Sequence, residues 1–151
     1  MKLAEALIEL GDLQKQIAQL RSRMVQNAKV QEGETPAEAV ETLLPLHETM
    51  MLALETLIRR INRTNSTTPL EAATLADAIA ARDGLRGRIT AHRELYDAAA
   101  IQQGRYSRSE VKYIRCVDTA MMQKRIDGLS KQLRELDIKI QATNWTTELL
   151  E

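Results

Sequence analysis

Apolar residues recur at alternating spacings of three and four through the opening stretch. Leu3, Ala6, Leu10, Leu13, Ile17, Leu20 and Met24, with Asn27 at the end, make one seam of a helix sustained over several heptads. Such a helix over residues 3–30 would be about 40 Å long. Gly11 interrupts it at roughly 1 kcal/mol relative to Ala, and Gln31-Glu32-Gly33-Glu34 ends it, with Gly33 suited to a left-handed cap. Thr35-Pro36-Ala37-Glu38 has the form of a capping box and predicts a second helix over 36–62, with Leu43, His47, Met50, Leu54, Leu57 and Ile61 on its seam. Pro45 kinks or restarts that helix. From Ile61 to Pro69 the side chains of Asn62, Asn65, Ser66, Thr67 and Thr68 compete for backbone hydrogen bonds, which predicts a tight reversal.

Beyond the reversal, Thr74 is placed to cap a third helix over 74–102, whose seam of Leu75, Ala78, Arg82, Leu85, Ile89, His92, Tyr96 and Ala99 is the most polar. Ser107-Arg108-Ser109-Glu110 is a second capping box and opens a fourth helix over 108–143. That helix shows Val111, Ile114, Val117 and Met121, slips register, and continues as Met122, Ile126, Leu129, Leu133, Leu136 and Ile140, a stutter. Four helices with short connections predict an all-α single domain over 1–151, either an antiparallel four-helix bundle or paired long helical hairpins with coiled-coil seams. In that topology helices two and three pair, which sets His47 and His92 level. The Asn62–Asn65 stretch, the N-terminus and the Asn144–Glu148 tail gather at one end, and Asn27–Glu34 meets Gln102–Lys112 at the other.

Composition narrows the class. The chain has 151 residues, no Phe, one Trp and three Tyr, the palette of long helices, and is long enough to bury a core without disulfides. A lone cysteine, Cys116, fits a small buried hydrophobe in a reducing, cytoplasmic setting. No apolar run is long enough to span a bilayer. Lys and Arg total 21 and so do Asp and Glu, which argues against binding to long nucleic acid or to an anionic membrane. The balance is uneven along the chain: Val30–Ile58 carries six acids and no Lys or Arg, whereas Arg82–Arg115 carries eight bases against four acids.

Four blocks, Asn27–Glu34, Ile61–Asn65, Arg105–Lys112 and Asn144–Leu149, resemble the septicolysin-like family of small bacterial helical proteins, and together they span essentially the whole chain. The resemblance implies a helical fold and, through the family label, a membrane-active, cytolysin-like protein. It brings no catalytic residues. The helices themselves lack the cationic face with bulky aromatics that interfacial helices use.

Candidate chemistry is sparse. No nucleophile has a partner base at recognisable spacing, so no enzyme activity is expected. A bundle metal site would use Glu-x-x-His pairs, which are absent; only His47 and His92, meeting across helices, form a candidate pair, and no metal or other cofactor is expected. The most specific binding motif is Arg105, Tyr106, Ser107, Arg108 and Lys112, where a helix N-terminus, two guanidinium groups and a stacking ring suit a small anionic ligand such as a nucleotide. Asn62, Arg63, Asn65, Asn144 and Trp145 make a second polar cluster. Uncovered seam on the first and fourth helices, with Arg82, Arg86 and Arg93 on the third, predicts self-association into a homo-oligomer. The expectation is a non-enzymatic, oligomeric, cytoplasmic helical protein with loop-end polar clusters for a small anion; a bundle metalloprotein is the alternative chemistry.

Overall fold

The computed structural model describes residues 1–100 and 113–151. It is mostly helical, with α1 Leu3–Gln26, α2 Val40–Thr67, α3 Leu75–Ala100 and α4 Thr119–Thr146, plus a two-stranded ribbon, β1 Pro69–Leu70 and β2 Ala73–Thr74. The chain divides into two compact units, one of Met1–Ala76 with Gln141–Glu151 and one of Asp77–Ile140.

In the first unit α1 packs along α2. Every position of the α1 seam from Leu3 to Asn27 is buried or half-buried, as are Leu43, His47, Met50, Leu54, Leu57 and Ile61 on α2. Leu3, Leu20, Leu43 and Leu57 lie at the centre of this burial, each contributing about 2 kcal/mol by removal from water.

The helix ends differ from the sequence expectation. α1 stops at Gln26, where the Asn27 side chain closes it: Nδ2 donates to Arg23 O at 2.9 Å while Oδ1 accepts the Glu38 N–H at 3.0 Å. Gly33 does adopt the left-handed region, at φ 89°, but in a turn closed by Glu34 N–H to Gln31 O, well past the helix. α2 begins at Val40 and not at Pro36, because Glu38 is taken by Arg23 in a two-pronged ion pair. That guanidinium holds the Glu38 carboxyl below the usual carboxylate range.

The reversal also shifts. Residues 62–67 continue α2, and their hydroxyls bond back to carbonyls one turn earlier: Thr64 to Arg60 O, Ser66 to Asn62 O and Thr67 to Arg63 O, at 2.7–2.9 Å. Hydroxyls that were expected to break the helix satisfy themselves within it. Pro69 is what stops it, by forcing Thr68 to an extended conformation at ψ 120°. The chain then turns through Glu71, at φ 56°, between strands paired Pro69 to Thr74 and Leu70 to Ala73.

In the second unit, α3 keeps its expected seam buried or half-buried from Ala78 to Ala99. The Ser107–Glu110 capping box lies outside the described residues. Residues 113–118 are not helical, and α4 starts at Thr119 under an Asp118 cap, whose Oδ1 accepts the N–H groups of Ala120 at 3.0 Å and Met121 at 3.1 Å. Ile114 and Val117 therefore precede the helix and the stutter disappears. A single register remains, with Met122, Ile126, Leu129 and Ile140 buried. Cys116, expected to be buried, is exposed.

Candidate functional site

Of the polar residues singled out from the sequence, Arg105, Tyr106, Ser107, Arg108 and Lys112 lie outside the described residues. The second polar cluster belongs to a clasp in the first unit. Leu3 N–H, the first of α1, donates to Thr147 O and Leu149 N–H donates to Met1 O, both at 2.9 Å, so Lys2 and Glu148 form an antiparallel bridge. This backbone pairing satisfies the first N–H of α1, while Glu5 Oε2 accepts the Lys2 N–H at 2.7 Å. The Glu148 carboxylate meets Lys2 Nζ at 2.6 Å and the N-terminal ammonium at 3.4 Å, and both hold it below the usual carboxylate range.

From α2, Arg60 Nε donates to Leu150 O at 3.0 Å, Arg63 donates to Glu151 O, and the wholly buried Thr64 accepts the Leu150 N–H at 3.0 Å. Asn144 is buried with its Oδ1 unpartnered, Asn65 is half-buried, and Asn62 and Trp145 are exposed. Of the cluster, Arg63 reaches the tail, and Arg60 and Arg63 are occupied by the main-chain oxygens of Leu150 and Glu151.

His47 belongs to the first unit and His92 to the second. His47 is half-buried on the α2 seam with Nδ1 unpartnered. Among the described residues no three His, Cys, Asp or Glu side chains cluster to hold a metal.

A feature the sequence reading passed over is a second apolar stripe on α2, one residue on from the seam. Leu44, Met51 and Ile58 repeat at intervals of seven and are 47%, 40% and 36% exposed, and Leu52 beside them is 64% exposed. Met51, Leu52 and Ile58 border a shallow groove of about 400 Å³ that also touches Glu48, Leu54, Glu55 and Arg59. Arg59 pairs with Glu55 at 2.6 Å, whereas Glu48 has no ion pair among the described residues. The seven-residue repeat was visible in the sequence, but Pro45 and the intervening glutamates masked it.

Arg82 and Arg86, expected at a subunit interface, are neutralised within the second unit by Asp83 and Asp137 at 2.9–4.0 Å. Arg93 is exposed.

No helix among the described residues is long and apolar enough to cross a membrane. No curated protein matches the chain. A solved structure, the crystal structure of a functionally unknown conserved protein from Corynebacterium diphtheriae, is similar at 42% identity and a TM-score of 0.91, over 99% of each chain. These findings correct the septicolysin-like resemblance: the protein that shares the fold is described as functionally unknown, and nothing in the comparisons indicates a septicolysin. Matching over residues 11–149, the chain belongs to the family of unknown function DUF6847.

Proposed function

We propose that the chain is a non-enzymatic, cytoplasmic helical protein that acts as an assembly with a second copy of itself, joined through α2. The observation that carries the reading is the exposed stripe of Leu44, Met51, Leu52 and Ile58. An apolar face of this kind beside charged residues is the usual mark of a partner surface. Its charges suit self-pairing. Laid antiparallel on the same face of a second copy, about an axis near residues 53–54, Glu48 of each copy comes opposite Arg59 of the other, with Leu52 beside the axis. Glu48 has no ion pair among the described residues, and Arg59, which pairs with Glu55 within its own helix, would be shared with Glu48 of the other copy.

This reading takes the fold as paired helical hairpins whose coiled-coil seams close within one chain, leaving the second α2 stripe for the partner. A small anionic ligand such as a nucleotide, bound by Arg105, Tyr106, Ser107, Arg108 and Lys112, belongs to the same reading.

Sedimentation velocity over a concentration series tests the assembly. The wild type is expected at twice the 17.0 kDa chain mass, and Leu52→Glu is expected to return it to the single-chain mass with its helicity intact. A wild type that stays monomeric throughout, or an assembly indifferent to Leu52→Glu, rejects the reading.

A further inference from the structure

In the second unit, α3 and α4 enclose a cleft of about 330 Å³ lined by Arg88, His92, Arg125, Gly128, Leu129 and Gln132. Its charge is unlike that of its surroundings. Arg82 and Arg86, six and two residues before Arg88 on α3, share Asp83 and Asp137. Arg88 and Arg125 have no ion-pair partner among the described residues, and no carboxylate lines the cleft. Two arginines from different helices therefore line one cleft with no ion-pair partner among the described residues.

His92 lines the same cleft. Its Nδ1 lies 2.6 Å from Arg88 O. A carbonyl can only accept, so Nδ1 carries the hydrogen at that contact. Gln132 adds an amide donor. At Gly128 an added Cβ would meet nothing within 4 Å, so the cleft is open there.

We propose that this cleft binds a phosphoryl group, carried as inorganic phosphate or as the monoester of a small polar alcohol. Two guanidinium forks and an amide match a doubly charged tetrahedral anion with several terminal oxygens, each fork able to take two of them. A planar monocarboxylate would occupy one fork and leave the second arginine uncompensated. The volume is at the small end of ligand clefts. No Phe, Tyr or Trp lines it, so a nucleobase finds none of the large rings on which bases stack best. The site is independent of the α2 face and lies apart from the Arg105–Lys112 stretch in sequence.

Isothermal titration of the full chain with inorganic phosphate, glycerol 3-phosphate and AMP tests this. Phosphate or glycerol 3-phosphate is expected to bind, and Arg88→Gln or Arg125→Gln to weaken binding about tenfold, the loss typical of one charge-assisted contact. Gly128→Glu places a carboxylate one turn from Arg125, where it competes for the guanidinium groups. This variant is expected to abolish binding while melting at or above the wild-type temperature, since Glu replaces Gly inside a helix. Tighter binding of glycerol 3-phosphate would identify the ester form, and equal affinity the free anion. Absence of phosphate and glycerol 3-phosphate binding at millimolar concentration, or binding that survives Gly128→Glu, overturns the site; AMP binding far above the other two overturns the small-ligand assignment.

Discussion

Thr64 shows how one hydroxyl joins distant parts of the chain. Its Oγ1 donates to Arg60 O at 2.8 Å and accepts the Leu150 N–H at 3.0 Å from a side chain with no exposure. Thr64→Val keeps the shape and leaves the part-buried Leu150 N–H without its acceptor, which should cost about 1 kcal/mol in urea unfolding; Thr64→Ser should retain most of that. Glu148 carries a pH dependence. Its folded pKa is depressed by Lys2 and the N-terminal ammonium, so its contribution is present above the ordinary carboxylate range and disappears as pH falls through the depressed value. Glu148→Gln should therefore be less stable than wild type at neutral pH, with the gap closing in acid, as followed by thermal melts across pH. Because the pair is exposed, added salt should shrink the gap as well.

At the scale of an element, each helix is specified by its seam and delimited by its caps. Gly11 is half-buried in α1 with room for a Cβ, so Gly11→Ala should stabilise by about 1 kcal/mol, read as a raised melting temperature. On α4 the Asp118 cap bonds two N–H groups; Asp118→Ala should cost about 1 kcal/mol and fray the first turn, visible as faster amide exchange at Ala120 and Met121. The α2 terminus makes the contrasting point, since Ser and Thr residues that favour turns in isolation persist in helix when each hydroxyl reaches the preceding turn. Propensity is a weak prior there, and the proline decides.

Across the whole molecule, zero net charge conceals separate stretches of opposite sign: the six acids of Val30–Ile58 lie in the first unit and the bases of α3 in the second. Self-pairing through α2 depends on one acid and one base of that face, which makes a charge swap decisive. Glu48→Arg and Arg59→Glu should each weaken the dimer in sedimentation equilibrium, and the double variant should restore it, because the two-fold arrangement recreates both pairs with reversed sign. Additive losses in the double variant would exclude this geometry.

The seams of α1, α2 and α3 were legible because they follow from periodicity within single segments: Leu3 to Asn27, Leu43 to Ile61 and Leu75 to Ala99 are buried or half-buried where the pattern places them, whereas the first half of the fourth seam, Ile114 and Val117, precedes α4. The bounds were less legible. Glu38 is a sound capping residue by spacing, yet Arg23 claims it, and the α1 N-terminus is satisfied by Thr147 O from the far end of the chain. The α2 stripe could have been read as a second heptad register. The Arg88–Arg125 cleft could not, since nothing local relates those positions until α3 and α4 pack. Helical character and buried faces thus came from the sequence by itself, through interactions a few residues apart. Where helices stop, which charges are neutralised and which are left facing a cleft were decided by tertiary structure, because caps and ion pairs go to whichever partner folding brings within hydrogen-bond distance.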